Sequence, residues 1–270
     1  MAMQHTHRLV YLARHMFIDL PEGRFLVDTG CPVSFGSPGS FGSTGSFGST
    51  GTASYGGTTH QLPRSYGSLT IESLAGLDLD ARIGQRCAGL IGMDILGRDP
   101  VLWDGPRGRA VVRPSPAPAG AVRIPVQQVQ TIPVIEVTVA GRSARCIFDT
   151  GAQYGFLTEQ PVSDPPLSDP SLSDPPLSDP FMIDPALEDG EFDDFHPMLL
   201  GFRSKAWKLP VDAQGVRFRE RFGFHEPLSS SMLRPFGVDG LIGCSWLPTR
   251  RVWFVPSAPS IESCLFVAAG

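Results

Sequence analysis

Long apolar runs, signal-peptide features and strong charge of one sign are all missing from this 270-residue sequence. No stretch approaches the ~20 apolar residues that a helix needs to cross a bilayer. Residues 1–20 lack the uninterrupted apolar segment of a signal peptide. The net charge of −5 is spread over both halves, which indicates no nucleic-acid partner. We therefore predict a cytoplasmic protein with neither a membrane nor a nucleic-acid partner.

The sequence also has few residues in metal-binding patterns. The spacings of its five cysteines fit neither a zinc site nor a disulfide framework, so we expect small buried thiols in a reducing compartment. The acidic segment from Asp184 to Asp194 lacks the spacing of an EF-hand and is predicted to be a solvated loop. No metal and no organic cofactor is implied.

Helix-forming runs are scarce, whereas Gly and Pro interrupt the chain often. The 30 Gly and 26 Pro residues separate short runs of Val, Ile, Leu and Phe, which favours a β-rich structure. A chain of 270 residues is long enough for two domains of ~100–150 residues, each with its own core. The tryptophans expected to pack in these cores are Trp103, Trp207, Trp246 and Trp253.

One short motif occurs twice, 121 residues apart. Residues 25–30 read Phe-Leu-Val-Asp-Thr-Gly, and residues 146–151 read Cys-Ile-Phe-Asp-Thr-Gly. The apolar lead-in predicts a buried strand that ends at the aspartate, and the glycine permits a sharp turn. Each copy is followed by Gly-Leu-Ile-Gly, at residues 89–92 and 240–243, with a leucine four residues further on. The sequence therefore predicts an internal duplication.

Paired Asp-Thr-Gly turns, each followed by a hydrophobic-hydrophobic-Gly strand, resemble the aspartic proteases. The 64 residues between Asp28 and Gly92 are closer to a compact retroviral-type (retropepsin-like) lobe than to a pepsin lobe. Retropepsins build one site from two identical subunits, whereas this chain carries both lobes. The resemblance implies an all-β, bilobal aspartic-protease-like fold, with two tandem retropepsin-like lobes and a cleft between them. Because one chain supplies both lobes, we expect a monomer.

We predict the first lobe at residues 1–113, a Pro-rich linker and lead-in at 114–131, and the second lobe at 132–270. Each lobe contains a low-complexity segment. The Ser-Phe-Gly repeat at 34–51 is either an expanded surface loop or a mobile flap that closes over a ligand. The Ser-Asp-Pro repeat at 163–180 has too much proline for a strand or a helix.

The resemblance implies that Asp28 and Asp149 form a catalytic dyad. Two carboxyls in close contact share a proton, because both cannot ionise cheaply. The ionised carboxylate would take a proton from a water that attacks the peptide carbonyl, and the protonated carboxyl would bond the carbonyl oxygen. The sequence does not indicate which of the two holds the proton. The implied function is an aspartic endopeptidase that acts on a peptide or protein substrate.

The same resemblance assigns supporting roles to residues around this dyad. Each threonine hydroxyl would bond the backbone of the opposite lobe, and the glycine after it would keep N–H groups near the carboxylates. The last glycine of each Gly-Leu-Ile-Gly would lie beneath the dyad, where a side chain would collide. A Gly-rich hairpin, Tyr55-Gly56-Gly57, is the predicted substrate-binding flap. The supporting residues are Thr29, Gly30, Thr150, Gly151, Gly92 and Gly243.

The sequence departs from the family pattern after the first motif. Family members usually have Ser or Ala after Asp-Thr-Gly, as Ala152 does, but the first lobe has Cys31 and Pro32. We expect Cys31 to be a small buried residue, because nearby carboxylates disfavour a thiolate. Two other functions stay open: a catalytically weak or inactive peptide-binding protein that keeps the fold, and an interaction protein whose Ser-Asp-Pro-Leu repeats recruit partners.

Overall fold

The computed structural model describes residues 3–12, 14–36, 51–63, 65–66, 69–70, 87–160, 185–196, 200–259 and 261–269. The structure is mostly β-sheet, with 57% strand and 12% helix, in agreement with the predicted all-β class. Nearly all of the 34–51 repeat and the whole 163–180 repeat lie outside the described residues, so their predicted roles stay predictions. Within the described ranges, no helix is both long enough and apolar enough to span a membrane.

Ten strands, numbered along the chain, form the larger sheet. In their order across the sheet they are β12 (Val122–Pro125), β22 (Cys264–Ala269), β21 (Arg250–Val255), β10 (Val101–Asp104), β11 (Arg109–Val112), β1 (His5–Leu12), β2 (His15–Leu20), β3 (Gly23–Val27), β9 (Gly89–Ile91) and β4 (Phe35–Gly36).

Eight strands form the second sheet, and two hairpins stand apart from both sheets. The eight strands are β13 (Gln127–Val129), β14 (Ile132–Val139), β15 (Arg142–Phe148), β20 (Gly240–Ile242), β16 (Gly155–Leu157), β19 (Val216–Gly223), β18 (Leu200–Ala213) and β17 (Glu188–His196). The hairpins pair β5 (Gly51–Tyr55) with β6 (Thr58–Leu62), and β7 (Ser65–Tyr66) with β8 (Leu69–Thr70).

The helical segments in the described ranges are each three to five residues long, and three of them follow one another directly over residues 226–236. They are the α-helical turns Met93–Leu96 and Glu226–Leu228, the π-helical turn Ser229–Leu233, and the 3-10 turns Gly105–Arg107, Pro185–Leu187, Arg234–Phe236 and Leu247–Thr249. Proline in the first turn of several of them suits a helix start, where its missing N–H costs nothing.

The two Asp-Thr-Gly motifs are built into equivalent local structures. β3 pairs in parallel with β9, which pairs antiparallel with β4. In the second sheet, β15 pairs in parallel with β20, which pairs antiparallel with β16. The registers correspond, because Val27 lies opposite Ile91 and Phe148 lies opposite Ile242. Each aspartate therefore follows directly on a buried strand that is flanked by its own Gly-Leu-Ile strand.

The larger sheet joins strands from both ends of the chain. β10 pairs antiparallel with β21, so the two halves meet along this pair. β12 pairs with β22 and β13 pairs with β14, although both lie in the segment predicted as linker and lead-in. Both strands are therefore parts of the sheets. Ile124, which is 1% exposed, anchors β12 in the core, a contact that the surrounding prolines concealed in the sequence.

Aromatic packing makes the core continuous between the halves. Trp103 of β10 is 1% exposed, stacks on Phe254 of β21 and contacts Phe148. Phe148 in turn contacts Trp246, so the residue before Asp149 is held between tryptophans from both halves. Rigid aromatic contacts at this point keep the end of β15 in place. The predicted burial is confirmed for Trp103, Trp207, Trp246 and Trp253.

Candidate active site

The loops that carry Asp28 and Asp149 leave their strands in the same way. The Asp28 N–H donates to the carbonyl of Ile91 at 3.0 Å, and the Asp149 N–H donates to the carbonyl of Ile242 at 2.9 Å. Two residues after Ile91, the Met93 N–H donates to the Cys31 carbonyl. In the second half the matching bond joins Cys244 to Ala152. Cys31-Pro32 therefore leaves the backbone of the first loop in the same arrangement as the second.

Two threonines lock the loops to each other. Thr29 and Thr150 are both 0% exposed, and each accepts a hydrogen bond from the other's backbone N–H, at 3.0 and 3.1 Å. The Thr29 hydroxyl donates to the carbonyl of Phe148 at 2.5 Å, and the Thr150 hydroxyl donates to the carbonyl of Val27 at 2.8 Å. Four bonds thus connect the ends of β3 and β15 across the two halves.

Glycine is required where the loops approach most closely. A Cβ atom on Gly30 would overlap with the Asp149 carboxylate, and one on Gly151 would overlap with that of Asp28. A Cβ on Gly92 would lie 2.7 Å from the Cys31 carbonyl oxygen, which is too close for a non-bonded contact. Gly243 has the same relation to the loop that follows Asp149. The structure therefore brings together the predicted dyad and its six supporting residues.

The two carboxyls perturb each other's ionisation. Burial raises the pKa of Asp28 well above its ordinary value, and the neighbouring Asp149 charge adds to the rise. Burial also raises the pKa of Asp149, but hydrogen bonds from the Gly151 backbone and from Asp28 oppose that rise. Both residues are still partly accessible to solvent. Raised pKa values on two neighbouring carboxyls favour a state in which the pair holds one proton.

Hydrogen bonding distinguishes the two carboxyls. Asp149 Oδ1 accepts the N–H groups of Gly151 at 2.9 Å and Ala152 at 3.2 Å. Asp28 Oδ1 is buried and accepts no hydrogen bond from the described part of the chain. N–H donors stabilise an ionised carboxylate, whereas a buried oxygen without donors favours the protonated form. The Gly30 and Cys31 N–H groups also bond the Asp28 carboxyl, so the two carboxyls differ in the buried Asp28 Oδ1 atom, which favours the proton on Asp28.

Cys31 lies beside this pair as a poor nucleophile. Its Sγ donates to the Val33 carbonyl at 3.1 Å. Burial raises the pKa of the Cys31 thiol well above its ordinary value, and the adjacent carboxyl pair adds to the rise. The thiolate needed for nucleophilic attack is therefore strongly disfavoured. The other four cysteines are buried free thiols, as predicted.

The structure places Tyr55, Gly56 and Gly57 away from the dyad, which does not fit their predicted role as a flap. Tyr55 is 4% exposed and its ring stacks on His7, while the Gly56 N–H donates to His7 Nε2 at 3.2 Å. The dyad lies near the other end of β1, where Leu12 pairs with His15. At ~3.3 Å per strand residue, the turn is roughly 15–20 Å along β1 from that end. The apolar Tyr55 ring draws the turn into the core.

Two buried polar residues at the site carried no sequence signal. His15 Nδ1 lies 2.9 Å from the carbonyl oxygen of Gly151, in the opposite half. Glu220 is 1% exposed, accepts the Ser245 hydroxyl at 2.7 Å, and has its pKa raised to about 7 by burial. Neither belongs to a spaced motif, because strand pairing alone brings each to its position. Among the described residues, no group of three or more His, Cys, Asp or Glu side chains could hold a metal ion.

Searches of known protein-family models and of curated proteins found no match for this chain. Its function has to be inferred from the chemistry of the site.

The threonine bonds lead to a prediction on stability. We expect Thr29→Val to lower the free energy of unfolding by about 2–5 kcal/mol, because it leaves the Phe148 carbonyl and the Thr150 N–H buried without partners. Denaturant unfolding followed by tryptophan fluorescence measures the change. Thr29→Ser keeps the hydroxyl and is the matched control, for which we expect a loss of less than half that size. Equal stabilities of the Val and Ser variants would show that the bonds contribute little.

Proposed function

We propose that this protein is an aspartic endopeptidase, with a bilobal aspartic-protease-like fold and a peptide or protein as its substrate. One observation carries the proposal: Asp28 and Asp149 come from matching loops, and each carboxyl lies against the glycine of the opposite loop. A buried pair of carboxyls is costly to the fold. Such a pair, partly open to solvent at the junction of two equivalent units, is suited to acid–base chemistry on a water molecule.

In the proposed reaction Asp149 is the base and Asp28 is the acid. The Asp149 carboxylate takes a proton from a water, whose oxygen forms a bond to the scissile carbonyl carbon. Asp28 gives its proton to the carbonyl oxygen, which yields a neutral tetrahedral diol. As the C–N bond breaks, Asp149 returns its proton to the leaving nitrogen and Asp28 takes back the proton of the hydroxyl that becomes a carbonyl. Both carboxyls end in their starting states, so the atoms and protons balance.

The threonines and glycines support this chemistry by preorganisation. The four threonine bonds fix both loops before substrate binds, so the carboxyls need not reorganise during the reaction. The glycines let each carboxyl approach the opposite loop without steric overlap. Because both lobes belong to one chain, we propose that the monomer is sufficient for activity.

A transition-state mimic separates an enzyme from a peptide-binding protein. A statine-type peptide carries a hydroxyl that takes the place of the attacking water between the carboxyls. An enzyme binds such a mimic at least ~10²-fold more tightly than the matched substrate. We expect calorimetry to show this preference, and mass spectrometry to show cleavage of extended apolar peptides at mildly acidic pH. Equal affinities without any product would overturn the endopeptidase proposal and favour the binding protein.

A further inference from the structure

We propose that His15 is a positioning residue for Asp149: it spans the junction of the two halves and holds the Asp149 loop through the carbonyl of Gly151. This inference rests on the proposed endopeptidase function and deepens it. It concerns an element that only the first half of the chain possesses.

The contact joins a buried imidazole ring to a backbone carbonyl of the opposite half. His15 is the first residue of β2 and is 4% exposed. Its Nδ1 atom lies 2.9 Å from the Gly151 carbonyl oxygen. A carbonyl oxygen can only accept, so the hydrogen is on Nδ1, and this bond selects the tautomer. Burial lowers the pKa of His15, which favours the neutral imidazole.

Gly151 connects the His15 contact to the Asp149 carboxylate through two hydrogen bonds. Its carbonyl accepts from His15, while its own N–H donates to Asp149 Oδ1 at 2.9 Å. The next residue, Ala152, donates a second N–H to the same oxygen at 3.2 Å. Rotation of Gly151 would break the bond from its N–H to Asp149 Oδ1 and would misalign the bond from the Ala152 N–H. The His15 imidazole therefore keeps the Gly151 and Ala152 N–H groups directed at Asp149, where they stabilise its ionised form.

The duplication shows that this contact is one-sided. Phe17 pairs with Leu26, two residues before Asp28, and Val134 pairs with Ile147, two residues before Asp149. Two residues before Phe17 is His15, so its counterpart in the second half is Ile132, which is two residues before Val134. Ile132 is 3% exposed and belongs to an apolar cluster.

The residues before these two confirm the match. Arg14 and Thr131 both have left-handed backbone, with φ of 66° and 75°. An isoleucine side chain has no hydrogen to donate, so the carbonyl of Gly30 receives no equivalent bond from Ile132. The loop that His15 contacts therefore carries Asp149, and the loop without such a contact carries Asp28, whose buried Oδ1 atom accepts no hydrogen bond from the described residues.

The counterpart residue supplies the sharpest test. His15→Ile installs the side chain that the fold already accommodates at position 132, and it removes the bond. His15→Asn can place an amide N–H close to the position of Nδ1. We expect His15→Ile to lower kcat by about 10²-fold, the size expected for a displaced catalytic group, with KM changed less than about twofold. We expect His15→Asn to recover most of the loss.

The pH profile gives a second readout that loss of stability does not move. Without the hydrogen bond from His15 to the Gly151 carbonyl, the N–H groups of Gly151 and Ala152 are less well oriented towards Asp149. The ionised form of Asp149 is then less stabilised. The acidic limb of the kcat/KM profile, which reports ionisation of the base, is then expected to move to higher pH in His15→Ile. The titratable groups that face Asp149 are Asp28, Cys31, Cys244 and His15 itself. Of these groups, only position 15 differs between the compared variants.

Ile132→Val is the matched control, because it alters the equivalent core position and removes no donor; we expect unchanged kcat. Thermal unfolding shows that each variant is folded, and His15→Gln, whose amide reaches too far to replace Nδ1, stands in for His15→Ile if that variant does not fold.

If the wild type is active and His15→Ile has the same kcat and the same pH profile, only the role of His15 is overturned. A His15→Asn variant no better than His15→Ile would overturn the same role. A wild type that neither cleaves peptides nor prefers the mimic would overturn the endopeptidase proposal and this inference together.

Discussion

Asp149→Asn is expected to reduce kcat for peptide cleavage by on the order of 10⁴-fold, the upper end of what a general base contributes. Asparagine has nearly the same shape and keeps an oxygen to accept the Gly151 N–H, so the loop is preserved. It cannot take a proton from water, and the attack on the carbonyl loses its base. Cleavage of one synthetic peptide, followed by mass spectrometry from acidic to neutral pH, measures the loss.

The dyad should behave as a unit. Asp28→Asn is expected to cost about as much as Asp149→Asn, and the double variant little more, because residues that act together are not additive. Asp212→Asn is the control: this carboxylate pairs with Arg217 in the β18–β19 turn, beside the end of β15 remote from Asp149. Near-normal activity in either dyad variant would exclude the proposed mechanism.

Asp28→Asn is also expected to make the protein more stable at neutral pH, by on the order of 1–2 kcal/mol. Burial raises the pKa of Asp28 in the folded state, with Asp149 as the second cause. The folded state then binds this proton more tightly than the unfolded state does. Stability is therefore greatest below the ordinary carboxyl pKa, and it falls as pH rises towards the raised value. Asparagine does not ionise, so the variant escapes this loss.

Urea unfolding over a series of pH values checks this prediction. Wild type and Asp28→Asn should be nearly equal in stability at acidic pH and separate as pH rises. Glu220 contributes a similar slope, since burial raises its pKa to about 7 and stability is lost between its ordinary pKa and that value. Glu220→Gln should flatten this part of the curve. A wild-type slope retained in Asp28→Asn would mean that Asp28 titrates normally.

Much of the candidate site could be predicted from residues 25–30 and 146–151 alone. An apolar run that ends in a carboxylate and a glycine defines a strand and a turn through local preferences, which are written in adjacent residues. The repetition of that pattern, with Gly-Leu-Ile-Gly after each copy, then led to the dyad, the threonines and the glycines. Short-range patterns and their recurrence are what a single sequence displays best.

The rest depended on contacts between residues far apart in the chain. Tyr55-Gly56-Gly57 has the composition of a flap, but its position depends on where the Tyr55 ring finds a buried surface, and that surface belongs to β1. Val122–Pro125 looks like linker until β22 supplies its pairing partner. His15 contacts Gly151, 136 residues away, only because β2 begins beside the Asp149 loop. The sequence determined the two repeated units and their carboxylates, whereas only the tertiary structure decided how the units differ, because strand pairing and burial depend on which distant segments meet.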